Sequence, residues 1–388
     1  MDGNAVCPLS AASMSAPISF IDLASQQDRI RDRIEAGIAG VLAHGRYVFG
    51  PEIDAFEAAM GEFGGADHVV ACANGTDAIL LNLMAWNIGP GDAVFCPSFT
   101  YCATAEVVAL ARATPVFIDI DRDTYNMDSE SLRAAIETVK AQGDLTPRAV
   151  IAVDLFGQSA DYPAIASVCR EHGLKLIADS AQGFGSTLGG RHPLHWADVA
   201  TTSFFPAKPL GCYGDGGAIL TNDDRQDHVL RSLRMHGSGR DRYDNVRIGL
   251  NSRLDSIQAA VLLPKLEIFP DEIEARNRVA KRYADGLASN AVKTPTVMDG
   301  VVSTWAQYTI EVAEPDALQK ALGERDIPSA RYYPRPVHAQ TAYAGYPVGP
   351  TGLANTEAAA ERVISLPMHA YLNEADQDRI IAAVRELT

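Results

Sequence analysis

Three short stretches of this chain combine residue types that could do chemistry with the rigidity that chemistry needs. In Ser203-Phe204-Phe205-Pro206-Ala207-Lys208-Pro209-Leu210-Gly211, a lysine sits between prolines after an expected strand. Proline fixes φ, so Lys208 is held in place instead of waving on a surface helix. A fixed amine in a partly desolvated site suits Schiff-base chemistry, whereas an isolated lysine is ordinarily a solvated surface charge. In Lys175-Leu176-Ile177-Ala178-Asp179-Ser180-Ala181-Gln182, an apolar run ends in an acid. Ligands of open α/β sheets sit outside the carboxyl ends of the strands, where Asp179 could keep a proton on a ring nitrogen. A loop or helix-cap aspartate has the same signature. In Ala73-Asn74-Gly75-Thr76-Asp77, an expected strand hands over to an expected helix. The free N–H groups and positive dipole end of that helix suit a phosphate, and Gly75 lets the backbone approach it. A plain Asn-Gly helix cap also fits these five residues. What sets Lys208 apart is its company: cradle, acid and lysine follow in order at successive sheet crossings.

The elements that must position these residues are visible as alternating short apolar runs and longer amphipathic segments, the sequence pattern of a largely parallel α/β sheet. The patterning predicts strands over His68 to Ala73, Ala93 to Cys96, Pro115 to Asp119, Ala149 to Asp154, Lys175 to Asp179, Val199 to Ser203 and Gly217 to Thr221. Helices are expected over Ile30 to Leu42, Ile53 to Phe63, Thr76 to Trp86, Ala103 to Ala111, Ser129 to Ala141 and Tyr162 to His172. From Leu254 to Leu287 the pattern becomes one long helix that Pro264 and Pro270 are expected to kink. It reads as a bridge to a smaller C-terminal domain with a strand over Gln307 to Val312 and helices near Pro315 to Arg325 and Asn373 to Leu387. The expected division is a disordered leader over 1–17, a large α/β domain over 18–264 and a small domain over 265–388. Met14 is an alternative start.

Composition narrows the partners. Lys plus Arg is 33 against 49 Asp plus Glu, a net charge of −16. Nucleic acid or an anionic membrane is bound by clustered Lys and Arg, so neither is expected as a partner. No apolar run approaches the ~20 residues of a membrane span. The N-terminus lacks the basic start and apolar core of a signal peptide. Cys7, Cys72, Cys96, Cys102, Cys169 and Cys212 are scattered without C-x-x-C pairs, so free thiols in a reducing cytoplasm are expected, with no structural metal.

Five stretches in order resemble the DegT/DnrJ-type nucleotide-sugar aminotransferases, fold type I enzymes that use pyridoxal 5'-phosphate (PLP). They are Ala73 to Ala78, Pro97-Ser98-Phe99-Thr100-Tyr101 with Ala103-Thr104, Ala178 to Gln182, Ser203 to Ala218, and Gly249-Leu250-Asn251-Ser252-Arg253-Leu254 with Gln258-Ala259-Ala260. The resemblance implies a mostly parallel seven-stranded sheet flanked by helices, with a smaller C-terminal α+β domain. It implies that Lys208 bonds the cofactor and later shuttles protons, while Asp179 pairs with its ring nitrogen. Gln182 is expected near the ring hydroxyl and Tyr101 stacked on the ring. Gly75, Thr76 and Ser203 match the phosphate cradle, and Asn251 matches a residue reaching the phosphate from the neighbouring subunit of a homodimer. Asp154 stands where many members carry histidine and receives no role. Arg253, Tyr332 and His338 lie on the substrate side by the same resemblance, with a structural histidine and an interface arginine as the competing readings.

The family chemistry is a ping-pong transfer from an amino acid, L-glutamate by resemblance, to a keto-sugar on a nucleoside diphosphate. The stretch Ser203 to Ala218 is most similar to enzymes acting on UDP-linked 3-keto-N-acetylglucosaminuronate, for bacterial surface polysaccharide. A 3- or 4-keto-6-deoxy sugar on dTDP, UDP or GDP is the second reading. A dehydratase of this family would carry histidine in place of Lys208. A PLP-dependent lyase or desulfurase would need a catalytic cysteine loop, and a PLP-binding regulator would show a helix-turn-helix or a basic face.

Overall fold

The computed structural model describes residues 17–241, 243–288 and 291–388. Met14, Cys7 and the rest of the expected leader up to residue 16 lie outside the described residues. Seven strands form one sheet: β1 His68–Cys72, β2 Asp92–Pro97, β3 Thr114–Ile118, β4 Thr146–Val153, β5 Lys175–Asp179, β7 Val199–Ser203 and β8 Gly217–Thr221. A two-residue strand, β6 Thr187–Leu188, intervenes and pairs instead with β9 Val301–Val302. The sheet order is β1-β8-β7-β5-β4-β2-β3. Only β8 runs against the others, antiparallel to both β1 and β7.

The strands form because they are apolar on both faces, which is how strands covered by helices on each side read in sequence. Alternate residues serve opposite layers. Phe95 of β2 and Val150 and Ala152 of β4 join one core cluster, while Val94, Cys96, Ala149 and Ile151 join the other. The covering helices are α1 Leu23–His44, α2 Pro51–Gly64, α3 Gly75–Ala85, α4 Ala103–Leu110, α5 Ser129–Gln142, α6 Tyr162–His172 and α7 Asp224–Leu233. Local chemistry starts and stops them: Asn74, Asp128 and Asp161 cap the N-termini of α3, α5 and α6, and left-handed Gly143 and Gly173 end the last two.

The long helix α8 Ser256–Leu287 runs as one 32-residue element with Pro264 and Pro270 inside it, the single long helix the pattern indicates. It serves two cores. Leu266, Phe269 and Ile273 pack with the sheet, whereas Val279, Ala280, Tyr283 and Leu287 pack into a separate cluster with Tyr308, Ile364 and Val384. That second cluster contains the antiparallel pair β10 Tyr308–Glu311 and β11 Val363–Leu366, with α9 Pro315–Gly323 and α11 Glu374–Leu387 around it, whereas Ala359 and Ala360 of α10 Ala354–Arg362 pack with Phe99, Ile120 and Tyr125. Ile18, near the start of the described chain, is part of the same cluster.

Candidate active site

Every stretch singled out for chemistry ends a strand on the same edge of the sheet. Asp179 closes β5, Ser203 closes β7, and Gly75 opens α3 just after β1. Gly217, the first residue of antiparallel β8, is paired with both Ser203 and Cys72, so it lies at this edge as well.

The approach of α3 to β7 explains two glycines. A Cβ at Gly75 would lie 2.7 Å from the Ser203 Cβ, and a Cβ at Gly217 would lie 2.4 Å from the Asn74 carbonyl carbon. The first turn of an eleven-residue helix is thereby brought against a serine, with its free N–H groups at the carboxyl edge of the sheet. Asn74 also caps that helix, accepting from the Asp77 N–H at 2.7 Å, so the bland cap and the cradle coexist in one turn.

Lys208 sits in a tight loop between β7 and β8. The loop is closed by the Lys208 N–H donating to the Phe205 carbonyl (2.8 Å) and the Cys212 N–H donating to the Phe204 carbonyl (2.8 Å). A buried lysine, Lys265 of α8, props it from behind: its amine donates to the Gly211 carbonyl at 2.7 Å and lies 4.4 Å from the centre of the Tyr213 ring. Burial pulls the Lys265 amine down to about 8, against the charge of Glu272. Burial also lowers the Lys208 amine from its ordinary value, and the negative charge of Asp179 partly restores it.

Asp179 is 6% exposed. Its carboxylate accepts from the Ala181 N–H (3.2 Å) and from the Thr104 hydroxyl (3.4 Å). Burial raises its pKa, opposed by the Ala181 N–H, the Lys208 charge and Thr104. An amine that burial pulls toward its neutral form, coupled to a buried carboxylate, is a pair suited to hold and move protons at a bound ring.

Gln182 is locked rather than free. Its Oε1 accepts from the Phe156 N–H (2.8 Å) and its Nε2 donates to the Tyr333 hydroxyl (3.0 Å). Tyr101, just beyond β2, is 55% exposed and flanks the same edge. His338 is tied to the end of β2: its Nδ1 lies 2.7 Å from the Ser98 Oγ, and its N–H donates to the same oxygen. Tyr332 packs against Phe20 and Tyr333. Asn251 is exposed and Arg253 half-buried, on either side of Ser252, whose hydroxyl accepts from the Ala73 N–H at 3.2 Å. Thr76, the second residue of α3, is half-buried.

Sequence reasoning passed over Lys265, Thr104 and Tyr333 as supports. Thr104 stood inside a motif already singled out and Tyr333 next to Tyr332, but only the folded contacts reveal what they touch.

A fold and an edge of this kind define a class of enzyme, and comparison with known proteins narrows it. The model of the DegT/DnrJ/EryC1/StrS aminotransferase family matches residues 28–385. The chain belongs to the DegT/DnrJ/EryC1/StrS aminotransferase family. It is 47% identical to the UDP-2-acetamido-2-deoxy-3-oxo-D-glucuronate aminotransferase of Pseudomonas aeruginosa, over 95% of this chain and 99% of that one. The crystal structure of a DegT DnrJ EryC1 StrS aminotransferase from Brucella abortus superimposes with a TM-score of 0.94 at 52% identity, covering 95% of this chain and 99% of that one. NtdA from Bacillus subtilis, solved with its cofactor PMP bound, gives a TM-score of 0.82 at 26% identity, covering 95% and 83%. The structural neighbours are fold type I aminotransferases, as the sequence resemblance implied.

Proposed function

We propose that this chain is a PLP-dependent aminotransferase that moves an amino group from L-glutamate to a keto-sugar linked to a nucleoside diphosphate, with UDP-2-acetamido-3-keto-glucuronate as the acceptor. The observation that carries the reading is the meeting of Lys208, Asp179 and the Gly75 helix start at one sheet edge, in a chain so similar to an aminotransferase of that substrate.

The residues present fit the cofactor. The absence of a Cβ at Gly75 lets the start of α3 close against Ser203, and the helix N-terminus with Thr76 and Ser203 beside it suits a phosphate. Asp179 would hold a cationic ring nitrogen, Gln182 would stand near the ring hydroxyl, and Tyr101 would flank the ring. When bound, PLP supplies an electron sink for the carbon from which a proton is removed.

The chain's own residues do the rest. Lys208 takes and returns the proton at its Nζ: burial favours the neutral amine, and the prolines on either side keep it on one face of the site. Asp179 holds charge where water is excluded, which makes its pairing stronger than in solution. Arg253, Tyr332 and His338 are proposed on the substrate side. For His338 the bonds to Ser98 equally serve to anchor the segment that carries Tyr333.

A homodimer with shared sites belongs to the same proposal, with Asn251 reaching the partner's cofactor. Ile248 is 89% exposed and Val246 53%, an apolar surface next to Asn251 that a second copy would cover. The two-domain division over 18–264 and 265–388 is also proposed, supported by the separate cluster around β10 and β11. A cytoplasmic location is proposed from the free Cys72, Cys96, Cys102, Cys169 and Cys212. Among the described residues no helix is long and apolar enough to cross a membrane. A product of this kind suits bacterial surface polysaccharide.

The test is a panel of keto-sugar nucleotides with L-glutamate and the PLP-loaded protein. The reading expects the highest kcat/KM with the UDP-linked 3-keto uronate. Preference for a 3- or 4-keto-6-deoxy sugar on dTDP, UDP or GDP would replace the acceptor, and no turnover with any of them would reject the activity.

A further inference from the structure

Asp154 follows the last residue of β4, and β4 runs beside β5 with Val153 paired to Asp179. It is 0% exposed, yet it is surrounded by donors. Its Oδ1 accepts from the Tyr162 hydroxyl (2.7 Å) and the Ala160 N–H (3.1 Å), and its Oδ2 accepts from the Ser180 hydroxyl (2.5 Å). Its own N–H donates to the Asp179 carbonyl at 3.0 Å. The turn after β5 is seated directly upon it, since a Cβ at Gly183 would lie 2.3 Å from the Asp154 Cβ. That turn carries Gln182, and Gln182 accepts from the N–H of Phe156, two residues beyond Asp154.

We infer that Asp154 is a positioning residue for the transfer reaction: it fixes the 180–183 turn, and with it Asp179 and Gln182, and its charge strengthens the hold of Asp179 on a cation. The inference rests on the proposed function, because the cation in question is the ring nitrogen of the cofactor. Both oxygens of the side chain face donors, an arrangement that an ionised carboxylate satisfies as it stands and an amide only with the Ser180 hydroxyl turned round to accept. The titratable groups facing it are Asp179 on β5 and Tyr162 on α6, with Lys208 beyond Asp179. Burial pushes the Asp154 carboxyl up to about 7, against the pull of Ser180, Tyr162 and Ala160. Its charge is therefore fully present above neutral pH and lost below it. A nearby negative charge favours the cationic form of a neighbouring group, so the effect on the cofactor is present at higher pH and fades in acid.

The experiment is an absorbance titration of the PLP-loaded protein against pH, with kcat and KM beside it, for wild type, Asp154→Asn and Tyr162→Phe. In Asp154→Asn the pH of the colour change moves down by about half to one unit, because a charge that favoured the cation is gone. The spectra of wild type and variant coincide well below about pH 7 and diverge above it. A kcat lowered about tenfold with both KM values unchanged accompanies the shift. If Asp154→Asn does not fold, Tyr162→Phe, which removes one donor and keeps the carboxylate, shows a smaller shift in the same direction. A folded variant with an unchanged colour titration overturns the inference and leaves Asp154 a staple between β4 and α6. A wild-type protein that takes up no PLP overturns the proposed function instead, so the two failures are distinct.

Discussion

Gly75 and Ser203 stand so close that a single added methyl group at Gly75 would press into the Ser203 Cβ at 2.7 Å. The contact joins the start of α3 to the end of β7 and so shapes the gap in which a phosphate would lie. Real side chains do not tolerate that separation, and one of the two elements has to yield.

Gly75→Ala is therefore expected to fold and to bind PLP about tenfold or more weakly, a loss of ~1.4 kcal/mol. Equilibrium titration of the cofactor-free protein with PLP measures it. Unaltered affinity would mean that the phosphate lies elsewhere.

Asp179→Asn separates function from stability. The buried carboxyl has a raised pKa in the folded chain, so the stability it contributes is fully present only below the unfolded value of ~3.9 and is lost as pH rises through the folded one. At neutral pH the ionised group is a cost to the cofactor-free fold. The neutral variant should melt at the same temperature as wild type or higher, while turnover falls by about 10²-fold or more. A destabilised variant with normal turnover would make Asp179 structural.

The fold was legible where burial on both faces leaves a plain apolar run. β5, β7 and β8 have the bounds their patterns indicate, and the other sheet strands differ by one to three residues at an end. Five strands and helices were not read from the sequence: β6 and β9, of two residues each, and α7, α10 and β11. α7 is mostly polar, with Asp224, Arg225, Gln226, Asp227 and His228 in its first half, and its capping by Asp223 is visible mainly in the folded chain. α10 and β11 are short and follow each other without a turn, Arg362 to Val363, so neither period has room to show. That Lys208 and Asp179 lie at one edge was legible because each ends or follows a strand, and strand ends share an edge. Lys265 and Tyr333 were not, because their partners Gly211 and Gln182 are 54 and 151 residues away in sequence.

Lys265→Met tests whether the Lys208 loop needs its support. The Gly211 carbonyl loses its buried donor, which costs ~1–3 kcal/mol. Turnover is expected to fall about tenfold with PLP still bound. The pH dependence is distinctive: the folded amine, at about 8, holds its proton less firmly than the unfolded chain at ~10.4, so this group's contribution rises with pH between those values. The melting temperature of wild type should therefore rise relative to that of Lys265→Met across that range, on top of the constant offset from the lost bond. A pH-independent difference would contradict the account of Lys265.

Shared sites predict complementation between damaged chains. Lys208→Ala and Asn251→Asp homodimers should each be inactive or impaired, the second because an aspartate repels the cofactor phosphate. Reassembled together, they should form mixed dimers with one intact site and activity above both parents. Tagged mixed dimers showing only the average of the parents would assign Asn251 to its own chain or to no site.

The most direct test follows the nitrogen itself. Purified PLP-loaded protein is incubated with L-glutamate carrying heavy nitrogen and with the UDP-linked 3-keto uronate, and the sugar nucleotide is weighed by mass spectrometry. The account predicts an amino sugar that contains the heavy nitrogen, formed together with 2-oxoglutarate, and no such product from Lys208→Ala. A keto-sugar recovered unchanged while the protein is folded and yellow, or equal labelling by Lys208→Ala, would contradict it.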